Sequence, residues 1–416
     1  MSGARAVTAC RACGGRLGLT FCDLGTMAVA NSYVPPERAK EPEPAFPLRC
    51  LVCEQCRLVQ LDTVVDERGI FTEYAYFSSM SSTWLEHAVR FCAAMTARLG
   101  LGPDSFVVEV ASNDGYLLRN FVRAGIPCLG VEPAANVAAI ARAAGVPTQA
   151  RFFGREAARD ILAVRNGKPA DLVVANNVLA HVPDLDDFIG GLALMAGGAG
   201  VVSIEAPHLV ALVDGVQFDT IYHEHYAYWS LLSMEAALAR HGLKVFDVER
   251  LATHGGSLRV LSSAADRSSS GALVALRAEE AARGLGGDAF YSGFGPRVQA
   301  VLEGLRGWLA TARAEGRRVY AYGAAAKGNT LLNAAGIGAA DILAVADRSM
   351  AKQGRLLPGS HIPVVSPGAM LALNPDDILI LPWNIEPEVS RQLREAGYRG
   401  RLAVAVPRLA VRDALA

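Results

Sequence analysis

The chain has 416 residues, more than one ordinary hydrophobic core holds, so two or three domains are expected. Hydrophobic residues make up 51% and charged residues 19%, a balance that suits well-buried α/β layers and excludes a disordered chain. Lysine and arginine total 40 against 41 aspartates and glutamates, so no basic excess marks a nucleic-acid or anionic-membrane partner. The starting expectation is a soluble, cytoplasmic protein, taken as a monomer.

In chain order, residues 1–70 come first, with six of the eight cysteines in the first 56 positions and a proline-rich stretch at 35–47. Cys10-x2-Cys13 and Cys53-x2-Cys56 form two hooks, each offering two thiolates at the bite that tetrahedral zinc requires. Disulfides and unpaired buried thiols are the alternatives, and a cytoplasmic setting disfavours the first. Cys50 makes the second hook ambiguous; it lies in an alternating apolar run, so Cys53 and Cys56 are preferred. Four sulfurs close the shell, so this zinc is expected to be structural.

A helix is predicted over 83–99. Strands at 106–110, 128–131, 171–175 and 200–205 then alternate with helices at 116–124, 135–144 and 185–195. That alternation predicts a doubly wound parallel sheet. The uncharged stretch 188–204 carries five glycines and is short for a membrane span, so it reads as helix, turn and buried strand. Residues 262–287 read as a polar connection and 291–315 as helix. A second α/β series follows, with strands at 318–322, 342–346, 377–381 and 402–405 and helices at 329–335 and 386–396.

The first strand runs into a turn where Glu109, Ala111, Asn113 and Gly115 occupy the spacing of a Glu-x-Gly-x-Gly-x-Gly nucleotide fingerprint, with only the last glycine kept. Bulkier residues there block the close approach of a pyrophosphate and count against a nicotinamide-dependent oxidoreductase. They hinder S-adenosylmethionine much less, because it brings no phosphate to the turn. Glu132, ending the second strand, is placed for ribose hydroxyls. Asn176 and Asn177, ending the third, are placed for the amino-acid part of such a cofactor. A tight structural turn with surface carboxylates, on a non-enzymatic zinc-bearing binding protein, is the bland alternative.

Residues 220–229 gather His223, His225, Glu224 and the tyrosines Tyr222, Tyr226 and Tyr228. Together with segments 23–31, 74–79, 108–118, 175–181, 253–259 and 322–329, this stretch makes the chain resemble the sugar C-methyltransferases of deoxysugar biosynthesis over nearly its whole length. The resemblance implies an S-adenosylmethionine-type doubly wound sheet over 71–262. It also implies a zinc-binding module over 1–70 and a Rossmann-like α/β domain over 263–416 that contributes to sugar-nucleotide binding. It implies the cofactor S-adenosylmethionine, structural zinc, and a dTDP-linked 4-keto sugar methylated at C3′. By motif, Tyr76, His181, Tyr222, Glu224 and His225 are carried over as the sugar pocket, and Ser79 and Asn329 lie in motifs carried over to the substrate.

Carbon methylation needs a carbanion-like nucleophile, and a C4′ ketone acidifies the C3′ hydrogen, so one base and one oxyanion stabiliser suffice. His225 is the expected base, oriented by Glu224 or Tyr222. On the family analogy His181 donates to the enolate oxygen. Tyr76 and Tyr222 shape the pocket. Lys327, at a strand-to-helix turn, pairs with the pyrophosphate or is merely exposed. His87, His208, His241 and His361 are expected to be structural; His223 and His254 are left open.

Overall fold

The computed structural model describes residues 3–65, 79 and 82–413. The N-terminal strands are β1 (Ala4–Ala6), β2 (Leu17–Ala28), β3 (Ala45–Cys53), β4 (Val59–Leu61) and β5 (Thr63–Val65). β1 pairs antiparallel with β5, and β2, β3 and β4 form an antiparallel meander. β2 and β3 alternate between solvent and interior, and their inner face buries Phe21 of β2 with Leu48 and Val52 of β3 in a core shared with the helix Phe294–Ala314 and the C-terminal sheet. The cysteine-rich region therefore packs into the rest of the molecule through this shared core.

The central strands are β6 (Val107–Val110), β7 (Cys128–Val131), β8 (Thr148–Gln149), β9 (Leu172–Asn176) and β10 (Val201–Pro207), followed by β11 (Ala227–Tyr228), β12 (Lys244–Leu251) and β13 (Ser257–Ser263). The seven-stranded sheet runs β12-β13-β10-β9-β6-β7-β8. β6 and β9 are buried throughout, as strands covered on both faces must be. The helices Leu185–Ala196 and Leu231–Ala239 cover one face, and Ser82–Leu99 covers the other. β13 is antiparallel to β10 and β12, so the sheet is mixed where an all-parallel one was expected. The reason is the link from β12 to β13, a tight turn at Thr253–Gly255; parallel strands would need a crossover of a dozen or more residues. β11 leaves this sheet and pairs with β4 of the N-terminal meander.

Residues 262–287, expected to be a bare connection, contain the helix Gly271–Ala282. Its first turn is capped by Ser270, whose hydroxyl accepts from the Leu273 amide, and it buries Leu273, Leu276 and Glu280. The C-terminal sheet comprises β14 (Val319–Tyr322), β15 (Val345–Ala346), β16 (Val364–Val365), β17 (Asp377–Ile380), β18 (Arg401–Val404) and β19 (Ala410–Asp413), in the order β16-β15-β14-β17-β18-β19. All neighbours are parallel except the β18–β19 pair. No helix among the described residues is long and apolar enough to cross a membrane.

Candidate active site

The sulfurs of Cys10, Cys13, Cys53 and Cys56 lie within 4.8 Å of one another, with Cys10–Cys56 at 3.6 Å and Cys13–Cys53 at 3.4 Å. Tetrahedral zinc at ~2.3 Å from each sulfur requires edges of about 3.8 Å, so the cluster fits that ion. Cys50 takes no part: its thiol is fully buried within β3, opposite Cys22 of β2. The Gln60 amide donates to Cys10 Sγ at 3.1 Å, a support beyond the four ligands.

At the carboxyl end of β6 the chain turns through three left-handed residues, Ala111 (φ 56°), Asn113 (φ 50°) and Gly115 (φ 77°). A methyl on Gly115 would meet Val146 at 2.9 Å, which explains why this glycine alone is kept. Ala111 holds the conformation that glycine would adopt freely, at a steric cost. Glu132 accepts from the amides of Asn113 and Ala134, both at 2.9 Å, one on each oxygen, leaving a lone pair on each for further donors. Around this turn, Glu109 Oε2, Ser112 Oγ, Asp114 Oδ1, Asn176 Oδ1 and both polar side-chain atoms of Asn177 are buried with no partner among the described residues. Such atoms are expensive to leave unmatched, and their convergence at the strand ends fits a polar ligand there. Burial raises the Glu109 carboxyl well above its ordinary range, and Glu132 and Asp114 add to the rise. Ser79 meets this same turn, its amide donating to Asp114 at 3.1 Å, and not the Lys327 end of the site. Tyr76 lies outside the described residues.

The short turn Phe218–Thr220 leads into the histidine cluster. His225 Nδ1 lies 2.8 Å from the Thr220 carbonyl; a carbonyl only accepts, so this nitrogen carries the proton. Nε2 is then an acceptor, and the Tyr222 hydroxyl donates to it at 2.7 Å. His181 Nδ1 likewise donates to the Glu224 carbonyl at 2.7 Å, and the two imidazoles meet edge to face with centroids 4.7 Å apart. Burial lowers His181 to about 4 and His225 well below the ordinary histidine range; His181, His254 and Lys327 push His225 further down. Thr220 and Tyr222, not the Glu224 carboxylate, orient His225. The Glu224 carboxylate instead accepts from Asn31 at 2.8 Å, and burial raises its pKa. His223 points the other way, its Nε2 donating to the Phe46 carbonyl at 3.2 Å, while Tyr226 and Tyr228 are core residues.

His254 joins the pocket from the β12–β13 turn, in a left-handed conformation (φ 55°) and edge-on to Trp84. The remaining histidines have carboxylate partners elsewhere: His87 with Glu205, His208 with Glu280, His241 with Asp186 and His361 with Glu43. On the far side, Lys327 lies in the first turn of the helix Ala326–Ala334; its ammonium donates to Asn384 at 2.9 Å and lies 4.9 Å above the Trp383 ring. Beneath it Asp219, fully buried, accepts from Trp383 Nε1 at 2.7 Å while its Oδ1 has no partner among the described residues. Burial raises Asp219 to about 6 against the pull of Lys327 and Trp383. Asp219 and Thr220 carry no local signal that would have marked them in the sequence.

Asn329 does not face this pocket. It is buried and donates to the Ala30 carbonyl at 3.0 Å, and its neighbour Asn333 donates to it in turn. It anchors residues 29–34, which cross between the C-terminal sheet and the histidine segment. Asn31 of this crossing reaches Glu224, the Tyr33 hydroxyl donates to the Ala324 carbonyl, and Val34 bridges Leu356.

The chain is 35% identical to the C-methyltransferase NovU of Streptomyces niveus over 408 residues, covering 97% of this chain and 96% of that protein. The chain belongs to the C-methyltransferase family. A family model for a C-methyltransferase C-terminal domain matches residues 252–407, one for a methyltransferase domain matches 84–248, and one described as zinc binding matches 10–71. Solved methyltransferases align more loosely. Magnesium protoporphyrin IX methyltransferase from Synechocystis PCC 6803 with bound SAM covers 47% of this chain and 88% of its own (14% identity, TM-score 0.33). An S-adenosylmethionine-dependent methyltransferase from Clostridium acetobutylicum covers 44% and 92% (12% identity, TM-score 0.35). As a C-methyltransferase the protein is an S-adenosylmethionine-dependent enzyme with a four-cysteine zinc module.

Proposed function

We propose that the methyl acceptor is the C3′ carbon of a dTDP-linked 4-keto deoxysugar, activated as its enolate. The reading rests on one observation: His225 is held neutral, its proton fixed on Nδ1 by the Thr220 carbonyl and its Nε2 lone pair aimed at the Tyr222 hydroxyl. A neutral imidazole with a directed lone pair suits removal of a hydrogen beside a ketone. The C–H electron pair becomes the enolate. The proton passes to Nε2, either directly or through Tyr222, whose hydroxyl gives its own proton to Nε2 and takes the substrate's.

S-adenosylmethionine, when bound, supplies an electrophilic methyl group. The turn Glu109, Ala111, Asn113 and Gly115 would hold it, with Glu132 for the ribose hydroxyls and Asn176 and Asn177 for its amino-acid end. A neutral His181 donates from Nδ1 to Glu224 and so presents an acceptor at Nε2; it can donate to an enolate oxygen only as imidazolium, which burial opposes. Its part in this reading is to wall the base, not to bind the oxyanion. Lys327 over Trp383 offers a cation and an aromatic face to a nucleotide diphosphate.

The test is incubation with a panel of dTDP-4-keto sugars and isotopically labelled S-adenosylmethionine, read by product mass and by hydrogen exchange at C3′. Wild-type protein should give both signals. His225→Ala should lose both while still binding S-adenosylmethionine. Exchange that survives in the variant overturns the base assignment, and an unmethylated panel overturns the acceptor class.

A further inference from the structure

Arg11 sits between the two cysteines of the first zinc hook, yet its side chain leaves the module. Nη1 donates to the Val182 carbonyl at 2.7 Å, and Nη2 donates to the Tyr226 carbonyl. Nε donates to Gln60 Oε1 at 3.2 Å, and the other end of the Gln60 amide donates to Cys10 Sγ. Val182 directly follows His181, and Tyr226 directly follows His225. The Tyr226 amide also donates to the Ala180 carbonyl at 2.7 Å, tying the same two segments together. One guanidinium therefore joins a sulfur-bound glutamine to the backbone beside each imidazole of the pocket.

We propose that Arg11 is a positioning residue through which the zinc hooks set the separation and tilt of the His181 and His225 rings. Its planar fork suits the task, because it presents donors in fixed directions; an ammonium is a point donor on a flexible stem and does not span both carbonyls. Zinc, when bound, supplies a rigid four-sulfur knot that fixes the backbone from which Arg11 reaches out. The catalytic consequence rests on the reading of His225 as base, whereas the geometric claim does not.

The experiment uses the full-length zinc-loaded protein with nitrogen-15-labelled histidine. Ring spectra report tautomer and titration, assigned by comparison with His181→Gln and His225→Ala. Arg11→Met should keep its zinc content and S-adenosylmethionine affinity while the His181 and His225 signals move and titrate nearer the ordinary histidine range. Its kcat on an accepted keto sugar should fall on the order of 10²-fold with KM for the methyl donor unchanged. Gln60→Leu, which leaves the guanidinium in place but cuts its tie to Cys10, should move the same two signals and covers the case in which Arg11→Met fails to fold. Arg49→Met, which breaks a half-exposed ion pair with Asp62 in the same module, should move neither. Unchanged histidine signals in both Arg11→Met and Gln60→Leu, or equal movement in Arg49→Met, overturns the proposal. A wild-type protein that methylates no dTDP-4-keto sugar sinks the acceptor reading alone, since the spectra still decide the role of Arg11.

Discussion

Ala111 is a β-carbon residue held at φ 56°, where L-residues lose roughly 1–2 kcal/mol to steric crowding. Replacing it by glycine should stabilise the protein by about 1 kcal/mol in chemical denaturation, less the chain entropy that glycine restores to the unfolded state. A loss of stability would mean the methyl group packs usefully. His181 makes a separate prediction about pH. Its folded value of about 4 lies below its ordinary 6.5, so the unfolded chain takes up the proton first. Stability should be insensitive to this group above pH 6.5 and should fall as pH drops from there through 4. For His225, which burial also lowers well below the ordinary histidine range, the basic form persists into acid. The acid limb of kcat/KM for methyl transfer should therefore lie below pH 6.5, and an inflection at or above that value would rule out His225 in its buried setting.

Beside the histidine pocket, an ion cluster joins four elements, the helix Ser82–Leu99 and the strands β10, β12 and β13. Glu205 at the end of β10 meets His87 at 3.0 Å and Arg259 of β13 at 3.2 Å; Arg259 also pairs with Glu249 of β12 and lies over Phe91. Burial alone would raise the Glu205 carboxyl, but His87 and Arg259 outweigh it and lower it. Arg259→Met should cost about 3–5 kcal/mol, because it leaves a fully buried carboxylate without its guanidinium, beside only the His87 imidazole and the Thr253 hydroxyl. Equilibrium denaturation measures this, and a cost under 1 kcal/mol would show that Glu205 simply takes up a proton.

At this level the sequence was most readable where the signal is local. The two cysteine hooks, the acid-bearing turn after β6 and the alternation of strand and helix all depend on spacing along the chain. The reading failed where direction is decided from afar. Asn329 sits in a turn that looks ligand-binding, but residues 29–34, some three hundred positions earlier, claim its side chain. The orientation of β13 hinges on a short turn, not on its own apolar pattern. Which partner orients His225 depends on where a backbone carbonyl at Thr220 points, and no residue type encodes that.

Across the whole molecule, the three larger sheets are not independent bodies joined by linkers. The N-terminal meander, the helix Phe294–Ala314 and one face of the C-terminal sheet share a single core. β11, drawn from the middle of the chain, completes the N-terminal sheet just beyond His225. The zinc hooks, the turn after β6 and the lysine end of the pocket thus come from distant parts of the sequence, and removing metal should soften more than the hooks. Chelation should lower the melting temperature of the full protein in one transition; a separate low-temperature step confined to the N-terminal sheet would contradict the shared core.

The crossing of residues 29–34 bears on engineering by gene shuffling. A hybrid that grafts the C-terminal half of a homologue onto this N-terminal half brings a foreign seat for Asn31, Tyr33 and Val34, which here touch Glu224, Ala324 and Leu356. Such hybrids should melt lower than either parent, and carrying this six-residue thread along with the donor half should restore the loss. Exchange points chosen by domain boundary alone will cut through an interface that the chain laces shut near its beginning.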